Sequence, residues 1–118
     1  MVLRASAESN DTNLELRGIT ESGATLGSAD GDLLVTFVNA LLSSSEPALN
    51  AARSDLAELL GHEGVVGASV IAGNFSRNDR IANAIGIPLE GDFVSQSADF
   101  RETLGINQFR SARASLGT

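Results

Sequence analysis

Asp30-Gly31-Asp32-Leu33-Leu34-Val35-Thr36-Phe37-Val38-Asn39-Ala40-Leu41-Leu42 decides the fold class. Within it Leu33, Leu34, Phe37, Val38, Leu41 and Leu42 recur at intervals of three and four, which lays them along one face of an α-helix. The spacing predicts a helix from about Gly31 to Leu42, with Asp30 and Asp32 as capping acids.

Outward from this stretch the helical signals continue. Ser43-Ser44-Ser45-Glu46-Pro47 combines a serine cap, a first-turn acid and a proline at an early helical position, all of which favour a new start. Leu49, Ala52, Leu56, Leu59 and Leu60 form the apolar face of this second helix, and Gly61 is its expected stop. A third segment, from about His62 to Ile85, is apolar or small almost all round at Val65, Val66, Gly67, Ala68, Val70, Ile71, Ala72 and Gly73. Such a helix is expected to be buried on several sides. Its interior glycines each cost on the order of 1 kcal/mol relative to alanine, and the compensating use is close approach of another helix. Gly86-Ile87-Pro88 ends it, by a left-handed stop and a proline. Ser97 is placed to cap a short fourth helix from Ala98 to Leu104, closed by Gly105, and the tail from Ile106 to Thr118 is expected to pack in part before fraying.

Residues 1–29 differ, being rich in Ser, Thr, Asn, Glu and Gly, and are expected to form a flexible arm ahead of a helical domain over 30–118. Leu14 and Leu16 alternate with Glu15 and Arg17, so a weak strand is predicted over Leu14 to Thr20, with a turn at Glu21-Ser22-Gly23. No internal repeat or second linker appears. The fold class is therefore all-α.

Composition narrows the chemistry. The chain has 118 residues and no cysteine, so it carries no thiol nucleophile and no disulfide. The length suffices for one domain without staples. Fifteen acidic against eight basic residues give a net charge of -7, a field that disfavours nucleic acid and anionic membrane surfaces as partners. All the basic residues are arginine, which removes Schiff-base chemistry and a phosphate loop ending in Gly-Lys. Met1 to Ser6 lacks the apolar core of a signal peptide, no apolar run approaches a membrane span, and a cytoplasmic location is expected.

Asn74-Phe75-Ser76-Arg77-Asn78-Asp79-Arg80-Ile81-Ala82-Asn83-Ala84-Ile85-Gly86-Ile87-Pro88-Leu89-Glu90 resembles the end of the long helix in the alkylhydroperoxidase D-like and carboxymuconolactone decarboxylase superfamily. The helix pair over 30–60 and Phe100-Arg101-Glu102-Thr103-Leu104-Gly105-Ile106 are similar to the C-terminal part of longer members. The resemblance implies an all-helical bundle of about four helices that assembles as a homo-oligomer. The peroxidase members use a Cys-x-x-Cys pair with a nearby Glu and His on an upstream helix, and this chain has no match to that helix. Peroxidase activity is therefore not expected. The decarboxylase branch works by proton transfer, but its acid and base also lie in the unmatched region. No catalytic residue carries over.

The remaining candidates come from the residues themselves. His62, the only histidine, has Glu63 beside it. The pair has the chemistry of a general acid and base, while their place after Gly61 favours solvated boundary residues. Arg77 and Arg80, three apart, are expected to share a helix face that holds a small anionic ligand or a subunit interface, with Asn74 and Asn78 adding hydrogen bonds; the plainer alternative is an exposed polar face. One histidine with scattered carboxylates gives no metal-ligand spacing, and no cofactor is expected.

Two functions follow as expectations. The favoured one is a cysteine-free helical protein acting by self-association or partner binding, motivated by the apolar run Val65 to Gly73. The other is a proton-transfer enzyme on a small carboxylate, using His62 or Glu63 with Arg77 or Arg80. His62 and Arg80 lie eighteen residues apart, ~27 Å along a helix, so only an oligomer brings them together. A separate chain supplying a cysteine-containing half is a further arrangement the sequence allows.

Overall fold

The computed structural model describes residues 9–10, 13–21, 23–110, 112 and 116. Helix α1 spans Ala29–Leu42 and α2 spans Glu46–Ile85. Two short helices follow, α3 at Gly91–Gln96 and α4 at Ala98–Thr103. Single 3₁₀ turns lie at Leu16–Ile19 and Ile106–Gln108. The fold is all-α, and no strand occurs among the described residues.

Ser28, not Asp30 or Asp32, caps α1: its side chain accepts from Gly31 N, and both aspartates lie in the first turn. Asp32 has a different task. Its Oδ1 accepts from Leu26 N at 2.7 Å, which ties the preceding segment down onto the helix. At α2 the expected signals act as read, with Ser45 accepting from Ala48 N and Pro47 in the first turn.

Gly61 interrupts α2 with φ 70° and ψ 175°, a backbone region open essentially to glycine. The chain therefore turns sharply between a limb over 46–60 and a limb over 62–85. Gly64 makes that turn possible from the other side, because a Cβ there would collide with the Leu60 side chain. The expected stop at Gly61 is thus a break between two packed limbs.

Both limbs pack on α1. Phe37, 2% exposed, and Ala40 meet Ala52 and the fully buried Leu56. Leu33, Val38 and Leu41 of α1, Leu49 of the first limb and Val65 and Ala68 of the second close around them. A side chain buried as Leu56 is contributes about 1.5–3 kcal/mol. The core is narrow: among the described residues, only Leu26 besides these four is a buried hydrophobic.

The Leu14–Thr20 stretch is a 3₁₀ turn and not a strand. Gly18 packs so closely on the Thr25–Leu26 backbone that a Cβ would stand 2.5 Å from the Thr25 carbonyl carbon. The apolar alternation is used instead to fold the segment back, with Glu15 N donating to Leu26 O at 3.0 Å. Residues 1–8, 11 and 12 of the expected arm and Ser22 of the turn lie outside the described residues, as does most of the tail past Arg110.

Beyond α2 the Gly86 stop is left-handed as expected, with φ 66°. Helix α3 was not expected from the sequence. Ser97 separates it from α4 but does not cap α4 with its side chain. Its hydroxyl donates back to Phe93 O and accepts from Arg101 Nε at 2.9 Å.

Candidate functional site

The third segment is where sequence expectation and packing part. Val65, Ala68 and Ala72 turn toward α1 and are half-buried, but Val66 is 63%, Val70 64%, Ile71 60% and Phe75 63% exposed. The helix expected to be buried on several sides is covered on one side by its own chain. One short helix is too narrow to cover a limb that is apolar all round.

Two surfaces result. On one flank, Leu34, Val38 and Leu42 of α1 and Ala68, Ile71 and Phe75 of the limb line an open apolar groove of about 580 Å³. Ser76, Asp79, Arg80 and Asn83 form its polar end. The other surface faces away from α1 and presents Glu63, Val66, Val70, Gly73 and Arg77, all exposed. Here a Cβ built on Gly67 or Gly73 would meet nothing within 4 Å, so both glycines open flat onto solvent.

The two arginines, three residues apart, have different surroundings. Arg80 lines the groove, whereas Arg77 is held on the outward side, where its Nη2 donates to Asn74 Oδ1 at 2.7 Å and to Asn78 Oδ1 at 3.5 Å. Three-residue spacing leaves about 60° between side chains, so neighbours on the limb still reach different partners. Asn74 and Asn78 thus act as acceptors for Arg77.

His62 and Glu63 are exposed immediately after the Gly61 break. They stand about 25–27 Å of helix from Arg80, so a single chain does not combine this pair with that arginine. Among the described residues no three His, Cys, Asp or Glu side chains are grouped to hold a metal ion. No described helix is long and apolar enough to cross a membrane.

Set against family models, curated proteins and solved structures, the chain matches none. Its own surfaces carry the functional reading.

A buried cation escaped the sequence reading. Arg101 is 8% exposed, with its guanidinium bound to Ser97 O, Ser97 Oγ, Val94 O and Asn107 Oδ1. All four acceptors are neutral. They include the Val94 carbonyl at the end of α3, where a cation also suits the helix dipole. The available signal was the four-residue spacing of Ser97 and Arg101 with Asn107 following.

Proposed function

We propose that this chain is a homo-oligomeric helical protein of the alkylhydroperoxidase D-like kind, without peroxidase activity, which works by self-association. The observation that carries the reading is its uncovered surface. The 62–85 limb is apolar nearly all round, and α1 covers one side of it.

On that limb Val66, Val70, Ile71, Phe75, Ile81 and Ile85 are each more than half exposed. Covering that limb with copies of the chain removes the contiguous apolar surface that soluble monomers rarely keep. The run from Asn74 to Glu90 supports the family assignment by resemblance, and the lack of any cysteine argues against thiol peroxidase chemistry in this chain. It also suits a reducing, cytoplasmic setting.

The test is the paired variant Val66→Asp with Val70→Asp. Both positions are exposed, so helicity by circular dichroism is expected to stay unchanged while the mass in solution falls to that of one chain. An unchanged mass would place the interface elsewhere and count against this surface.

A second reading rests on the groove. Its apolar floor, with Arg80 and Asn83 as donors beside Asp79 at one end, suits a small carboxylate with an apolar body, the substrate class of a proton-transfer enzyme. Calorimetric titration with octanoate tests it: saturable binding lost in Arg80→Ala supports the site, and no heat above dilution removes it.

A further inference from the structure

We infer that the outward stripe of the 62–85 limb is the seam of an antiparallel, two-fold pair with a second copy of this chain, in which Glu63 of each copy meets Arg77 of the other. This deepens the self-association reading and rests on it.

The stripe runs Glu63, Val66, Val70, Gly73, Arg77, at spacings of three, four, three and four. That is the repeat by which two helices keep one seam in contact. All five residues are exposed, and they lie on the side of the limb opposite the α1 contacts of Val65, Ala68 and Ala72. The seam is therefore free of the chain's own core.

Charge selects the direction. The stripe has an acid at one end and a base at the other, with apolar and glycine positions between. A parallel pair would set Glu63 against Glu63 and Arg77 against Arg77, and like charges across an interface are unfavourable. The antiparallel arrangement sets each glutamate against an arginine, once at each end.

Register follows from the same two residues. Val70 is the midpoint of 63 and 77, so it falls on the two-fold axis and meets its own copy. Within the stripe, Val66 of each copy then falls beside Gly73 of the other, where a Cβ would meet nothing in the single chain. A glycine beside each Val66 lets the two backbones approach closely near the centre. Asn74, one position beyond Gly73, has its Oδ1 engaged by Arg77 at 2.7 Å. The same hydrogen bond holds the guanidinium at the end of the seam, preordered for a carboxylate.

Charge reversal tests this register. In sedimentation equilibrium on the full chain, Glu63→Arg and Arg77→Glu are each expected to raise the dissociation constant at least tenfold, since each puts like charges together at both ends. The double variant, Glu63→Arg with Arg77→Glu, is expected to return it to within about threefold of the wild type. Such rescue is not produced by loss of fold, and both positions are exposed. A wild-type chain that is monomeric throughout overturns the self-association reading and the pair with it. An oligomeric wild type whose constant neither single reversal changes, or whose double variant shows no rescue, overturns the pair alone.

Discussion

Arg101 Nε donates to the Ser97 hydroxyl at 2.9 Å, joining the residue that ends α3 to the middle of α4. The same guanidinium reaches Val94 O at 2.6 Å and Asn107 Oδ1 at 3.1 Å. One side chain therefore satisfies the end of α3, the start of α4 and the following 3₁₀ turn.

Arg101→Ala leaves the Val94 carbonyl, the Ser97 hydroxyl and the Asn107 amide oxygen without their guanidinium donor. The expected loss is about 1.5–3 kcal/mol, the range for hydrogen bonds to a charged group, read as a lower urea midpoint. Amide exchange over 91–108 is expected to speed up more than exchange in α1. Arg101→Lys keeps the charge but not the planar fork, and is expected to recover less than half of the loss.

The Gly61 break is what lets one chain wrap two limbs around α1. Gly61→Ala forces a side chain into a glycine backbone region, at a cost of about 1–3 kcal/mol, and relief lies in straightening α2. Small-angle scattering on a variant kept monomeric by Val66→Asp with Val70→Asp is expected to show a radius of gyration above 15.7 Å. Gly64→Ala presses on Leu60 and is expected to act in the same direction.

Buried and exposed aliphatics of the third and second segments separate stability from assembly. Leu56→Ala empties a fully buried position and is expected to cost about 2–5 kcal/mol. Val70→Ala, at a position 64% exposed, is expected to change single-chain stability by less than about 0.5 kcal/mol while weakening association. Unfolding midpoints and sedimentation of the two variants check this contrast.

Helix positions were legible because their signals are local. The Leu33–Leu42 periodicity, the Ser45–Pro47 start and the glycines at 61 and 86 each act within one or two turns. Residues 14–20 misled because leucine alternation is shared by strands and by short turns that fold back. What decided there was the close packing of Gly18 on Thr25, a contact the local pattern does not encode. Helix α3 was missed for a related reason: it has no side-chain cap, and its end is held by Arg101 from the next helix.

The site was legible in composition more than in geometry. Val65 to Gly73 stood out as too apolar for a surface helix, and most of its larger side chains are indeed uncovered. Burial on several sides was expected because periodicity reports hydrophobicity, not whether the same chain supplies the cover. Arg77 and Arg80 are grouped by spacing; Arg80 lines the groove, and what the spacing does not reveal is that Asn74 and Asn78 hold Arg77. The groove itself needs Leu34, Val38 and Leu42 of α1 beside the limb, a pairing only the folded chain reveals.

Light scattering coupled to size exclusion on the full chain tests the central claim most directly. The account predicts a closed oligomer, with a mass of at least twice 12.2 kDa that holds on dilution through the micromolar range. A compact monomer at every concentration would contradict it.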